Sequence, residues 1–208
     1  MTRSCSTSCA ELNGSPNLPA RDRPRLVGWR PALQIVGLAS LILTLEWGRA
    51  LAERRPGWAL TALLGGGVAL CGLGLASSPR RLGLGLDGMA GRILGGLVLT
   101  VVLLLPASVR WSSAPALGPP WLLAATTVSI GEELAFRGRL FAAVDEVAGG
   151  LAAVGATTAL WTAAHVLSHP PAFLLPVAAA GLFLGLWRWA TRDLVGPILG
   201  HLLADLAL

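Results

Sequence analysis

Seven apolar runs, parted by short stretches carrying Arg, Pro or Gly, constrain this fold more than anything else in the sequence. They lie at about 31–48, 57–78, 93–109, 120–147, 150–167, 171–188 and 193–208. None shows the apolar–polar alternation of a membrane β-strand. Most approach the roughly 20 residues that a helix needs to cross about 30 Å of hydrocarbon. Backbone groups find no water in lipid, so helices and closed barrels are the only structures that span it. The chain is 54% hydrophobic and 13% charged, about half the charge of a soluble domain. The expected fold class is therefore all-α, a polytopic transmembrane helical bundle of about seven spans in the lipid bilayer.

Three segments follow from this pattern. Residues 1–25, rich in Ser, Pro, Arg and Asn, read as a disordered polar leader. This leader lacks the apolar stretch of a signal peptide, so the first span is expected to direct its own insertion. Residues 26–117 hold the N-terminal transmembrane helices, and 118–208 hold a C-terminal core. Cys5, Cys9 and Cys71 have neither metal-site spacing nor the pattern of a disulfide framework.

The formal net charge is +5, and every basic residue is Arg. The arginines lie between apolar runs, which assigns them to membrane topology and argues against nucleic acid as a partner. Twelve fall on the side of the N-terminus and four, Arg49, Arg54, Arg55 and Arg110, on the other. The N-terminus is expected in the cytoplasm. The all-Arg, Ala/Gly/Leu-rich composition points to a high-GC bacterial gene, and hence to an integral protein of a bacterial inner membrane.

An ionisable residue within a span is costly and usually faces a cavity or a partner. The second half concentrates them: Glu132, Glu133, Arg137, His165, His201 and Asp205. Glu133 and Arg137 stand four apart on one helix face and are expected to form a structural ion pair. Glu132 is turned about 100° from that pair and needs another partner. If Gly149–Gly150 is the turn of a helical hairpin, Glu132 and His165 each lie roughly 22–26 Å from it, at matching height. His201 and Asp205, also four apart, come to similar depth on the last span. Four groups can therefore converge from three helices. Glu46, beside Trp47, is expected at the membrane interface, as are Trp187 and Trp189. Asp87 and Asp193 are expected as ordinary loop residues, His169 in a loop, and Asp145 and Glu146 solvated at a helix end. The Gly65–Gly67 run suits close helix packing.

Three stretches match a known pattern in order: EELAFR at 132–137, WTAAH at 161–165 and HLLAD at 201–205. With FRGRLF at 136–141 they make residues 118–208 resemble the CAAX-protease and bacteriocin-processing (CPBP) family of intramembrane endopeptidases, also called the abortive-infection family. The resemblance implies a catalytic role for four residues. Glu132 is the general base, His165 assists or positions the water, and His201 and Asp205 serve the oxyanion site. The chemistry is self-consistent, because hydrolysis in a bilayer needs water, a base and a donor for the developing oxyanion. A carboxylate taken out of water also becomes a stronger base. Two positions depart from the pattern. Trp161 replaces the usual Phe. Asp205 replaces a frequent Asn; once ionised it only accepts hydrogen bonds, so orienting His201 is the role left to it. The sequence ends three residues beyond Asp205, which leaves a short last span.

The implied substrate is a membrane-anchored peptide or protein. Eukaryotic relatives act on prenylated CAAX tails, whereas the bacterial character here favours a peptide or a protein anchor. No cofactor is expected. Two alternatives stay open: a metal-dependent protease with Glu132, His165, His201 and Asp205 as zinc ligands, and a non-catalytic membrane scaffold or immunity protein. A transporter with a proton relay is a further possibility.

Overall fold

The computed structural model describes residues 29–108 and 117–207. The expected leader, with Cys5 and Cys9, and Arg110 lie outside them. The described residues form helices joined by short turns and loops, with no strand. The order is α1 (Trp29–Glu53), α2 (Ala59–Leu75), the short α3 (Pro79–Leu82), α4 (Met89–Ser108), α5 (Pro119–Glu133), α6 (Phe141–Ala148), α7 (Gly150–Ala164), α8 (Leu174–Thr191) and α9 (Val195–Ala207).

Trp29–Glu53, Gly150–Leu167 and Pro171–Thr191 are long and apolar enough to cross a membrane, while Ala59–Leu75, Met89–Leu105 and Val195–Ala207 are shorter apolar helices. The 13 residues of α9 run about 20 Å at helical rise. Helix α1 shows how lipid sorts side chains. Leu33, Val36, Leu41 and Leu51 face outward, while Ile42, Glu46 and Ala50, each four residues on, form the buried stripe. Serine and threonine hydroxyls within the spans, such as Thr44, Thr100, Thr157 and Thr162, bond the carbonyl four residues back, which satisfies them without water.

The fourth expected span is one rod of changing pitch. Helix α5 runs into a π-helical segment, Leu134–Leu140, and that segment into α6 with helical backbone at both junctions. The motif that opens with Glu132 thus spans an α-to-π transition that apolar periodicity does not reveal. Such segments are frequent at functional sites. The α6–α7 hairpin closes at Gly149, whose φ of 86° suits glycine.

Helices α2 and α5 pack closely, as do α4 and α9. Small residues allow this. A Cβ at Gly67 would lie 2.9 Å from the Thr127–Val128 backbone, and one at Gly131 would lie 2.7 Å from the Gly67 carbonyl oxygen. The N-terminal helices therefore wall the C-terminal core rather than stand apart from it. Asp193 does more than a loop residue. It caps α9 by accepting from the Val195 and Gly196 amides at 3.0 and 2.8 Å, and it pairs with Arg92 of α4 at 3.0 Å. That cap sets the height of His201. Trp187 departs from the expected aromatic belt: Cβ atoms at Gly95 and Gly196 would strike its indole, so it fills the α4–α9 junction. Trp189, 38% exposed, keeps a surface position.

Candidate active site

The polar groups of the spans form two linked clusters at the wall of one cavity. In the first, Glu132 at the end of α5 is 3% exposed. Its Oε2 accepts the Trp161 indole N–H at 2.8 Å, and its Oε1 accepts Arg49 Nη2 at 3.1 Å. His165 Nε2 lies 4.0 Å from the same Oε2, so the hairpin brings these two motifs to one height as expected. His165 Nδ1 is 2.7 Å from the Trp161 carbonyl oxygen. A carbonyl only accepts, so Nδ1 carries the proton and Nε2 faces Glu132 with its lone pair in the neutral ring.

In the second cluster, Glu133 is fully buried, and its Oε1 accepts from both Arg137 Nη1 and His201 Nδ1 at 2.9 Å. The expected Glu133–Arg137 pair forms, and it also anchors His201, a link that i,i+4 spacing does not show. His201 Nε2 lies 3.3 Å from Asp205 Oδ2. The Ser129 hydroxyl reaches that same Oδ2 at 2.6 Å and the Ala125 carbonyl at 2.8 Å, so its single proton serves one of two acceptors at a time. Asp205 is placed to orient His201.

Trp161 joins the clusters. Its ring meets His165 edge-on at 4.7 Å and His201 at 5.6 Å, and the Arg137 guanidinium carbon lies 4.3 Å from its centroid. Gly181 makes room for it, since a Cβ there would lie 2.8 Å from the indole. A phenylalanine, usual at this position in the family pattern, would fill the space without donating to Glu132.

Arg49 and Glu46 are the site residues that sequence reasoning missed. Glu46 is 2% exposed, not interfacial, and Arg49 is not a loop arginine. Arg49 Nη2 lies 2.5 Å from Glu46 Oε2, and Nη1 lies 3.2 Å from Glu53 Oε1. The spacing of Glu46, Arg49 and Glu53 on one helix face was the available signal. The partner across the bundle, Glu132, was not readable.

The cavity measures about 740 Å³ and is lined by Glu53, Glu132, Asp205, Arg49, the two motif histidines and apolar residues of α4 and α8 such as Leu103 and Phe183. Such a volume suits a substantial ligand. His169 lies in the loop before α8, as expected, and also lines this cavity, with its ring 5.2 Å from His165 and stacked at 4.9 Å on Phe173. Burial holds its imidazole below the ordinary histidine range, and nearby His165 pushes the same way. Among the described residues no three His, Cys, Asp or Glu side chains are grouped so as to hold a metal ion. Arg49 occupies one Glu132 oxygen, and Glu133 takes one nitrogen of His201.

No curated protein and no solved structure matches the chain. A family model, type II CAAX prenyl endopeptidase Rce1-like, matches residues 114–207. That segment contains Glu132, Glu133, Arg137, Trp161, His165, His201 and Asp205, and it leaves Glu46 and Arg49 outside. Through residues 114–207 the chain is similar to the Rce1-like family of type II CAAX prenyl endopeptidases.

Proposed function

We propose that this protein is a glutamic-type intramembrane endopeptidase acting on a membrane-anchored peptide or protein. One observation carries the reading: Glu132 Oε2 and His165 Nε2 stand 4.0 Å apart at the wall of the large cavity. That gap is too long for a direct hydrogen bond, and it lets one water oxygen lie within hydrogen-bond distance of both. Glu132 has lone pairs left after accepting from Arg49 and Trp161, so it can take the water's proton. The hydroxyl adds to the scissile carbonyl carbon, the C–N bond breaks, and the proton passes from Glu132 to the leaving amine. The His201 Nε2–H, shared with Asp205 Oδ2 at 3.3 Å, is the donor offered to the oxyanion. Arg49 and Trp161 act as positioning residues, holding the carboxylate from both sides.

The structure bears on sidedness as well. Setting aside the buried Arg137 and Arg188 and the ion-paired Arg49, ten arginines remain on the N-terminal side and three on the other, which supports a cytoplasmic N-terminus. The cavity is lined by the C-terminal half of α1, the loop after α7, the start of α8 and the end of α9. All of these lie at the bundle end away from the α1 N-terminus. The cavity then opens on the non-cytoplasmic side, which favours an exported peptide or the anchor of a surface protein as substrate.

Cleavage in reconstituted membranes tests this reading, with the parent, Glu132→Ala and His165→Ala assayed with and without chelator. The substrates are anchored segments from the same genome and a farnesylated CAAX peptide. Cleavage by the parent alone, indifferent to chelator, is expected. Cleavage that survives both substitutions overturns the site, and loss with chelator restored by zinc overturns the metal-free mechanism.

A further inference from the structure

At the bundle end away from the cavity lies a second concavity, about 280 Å³ in volume. Arg80 and Arg81 of α3, Asp145 and Glu146 of α6, and Arg188 and Arg192 at the end of α8 line it. Arg81 pairs with Glu146 and Arg192 with Asp145. Two guanidinium groups, Arg80 and Arg188, then have no carboxylate at ion-pair distance among the described residues. Four cations facing two anions leave the hollow with two positive charges in excess.

Arg80 is exposed, and its charge is solvated. Arg188 is 5% exposed. Its Nε donates to the Arg137 carbonyl and its Nη2 to the Arg81 carbonyl, both at 3.1 Å. Its Nη1 makes no hydrogen bond among the described residues. Buried arginines are normally held against an acid; here two carbonyls satisfy hydrogen bonds and the Phe141 ring centroid lies 5.5 Å from the guanidinium carbon, but no carboxylate stands at ion-pair distance among the described residues. The membrane-crossing segment of α8 ends at Thr191, so the hollow lies where lipid headgroups begin. Arginine forks suit phosphate oxygens, and basic pockets between spans at this level attract anionic headgroups.

We infer that this hollow binds a phosphate-class anion, seated between Arg188 Nη1 and Arg80, with an anionic phospholipid headgroup or free phosphate as its source. The ligand supplies the counter-charge that Arg188 lacks. Because Arg188 also bonds the Arg137 carbonyl, an occupied hollow braces the turn that carries the Glu133–Arg137 pair.

The test is thermal unfolding of the full chain in zwitterionic micelles, titrated with short-chain phosphatidylglycerol, short-chain phosphatidylcholine or inorganic phosphate. Phosphatidylglycerol is expected to raise the midpoint saturably and phosphatidylcholine to leave it unchanged. Arg80→Gln is expected to raise the half-saturating concentration about fivefold, as for the loss of one arginine near an anionic surface, and Arg188→Gln to raise it further. Should Arg188→Gln fail to fold, Arg80→Gln decides. Stabilisation by phosphate alone at equal strength assigns the site to free phosphate, and a response confined to phosphatidylglycerol assigns it to the headgroup. Equal responses to the two lipids with none to phosphate, or an unchanged half-saturation in Arg80→Gln, overturns the inference.

Discussion

Replacing Arg49 by Met separates what this arginine does for folding from what it does for Glu132. Arg49 holds Glu46 at 2.5 Å, Glu132 at 3.1 Å and Glu53 at 3.2 Å. Glu46 and Glu132 are 2% and 3% exposed, and Glu46 Oε1 already lacks a hydrogen-bond partner. Removing the cation leaves two buried carboxylates without a counter-charge, and breaking a buried pair from one side costs about 3–5 kcal/mol. For a chain of this length that corresponds to a fall in midpoint of roughly 10 °C. Exchanging both partners for apolar residues is usually close to neutral, so Glu46→Met/Arg49→Met is expected to recover the share of the loss that comes from Glu46, while Glu132 still lacks its arginine. It does not restore the Arg49 hydrogen bond to Glu132, so its cleavage rate is expected to stay low. Thermal unfolding in nanodiscs and cleavage of an anchored reporter read the two effects on the same preparations. A loss under about 1 kcal/mol in Arg49→Met, or full activity in the double variant, would refute the reasoning.

Trp161→Phe keeps the aromatic packing and removes one donor to a carboxylate, a bond worth about 1.5–3 kcal/mol. A fall in kcat of roughly tenfold to a hundredfold with little change in KM is expected from steady-state assays. Glu133→Leu strands Arg137, which is fully buried, and frees His201. Denaturation of reconstituted protein should show a loss of about 3–5 kcal/mol, and Glu133→Leu/Arg137→Met should regain most of it. The folded protein holds His169 less readily protonated than the unfolded chain does. The unfolded state therefore takes up more protons as pH falls through about 6.5, and stability declines in that direction. His169→Asn should flatten the decline in thermal midpoint between pH 7.5 and 5.5.

The helical bundle, the Gly149 hairpin turn and the Glu133–Arg137 pair were all legible in the sequence. Each is governed by short-range rules: lipid demands self-satisfied backbone, positive φ suits glycine, and residues four apart share a helix face. The matching height of Glu132 and His165 was readable too, because two antiparallel helical arms measured from one turn leave little freedom. What surrounds Glu132 was not readable. Arg49 comes from a helix 83 residues earlier, and nothing in local spacing says which face of α1 meets α5. The same holds for Ser129 on Asp205 and for Glu133 on His201, which are 76 and 68 residues apart. Glu46 looked interfacial because its depth follows from how α1 packs, not from its distance to the helix end. Local sequence thus picked out the charges carried by the spans of the C-terminal half, from Glu132 to Asp205, but not the depth of Glu46 and Arg49. Tertiary packing alone decided which of them meet, because in a bilayer the partner of a buried charge is chosen by helix contact and not by solvent.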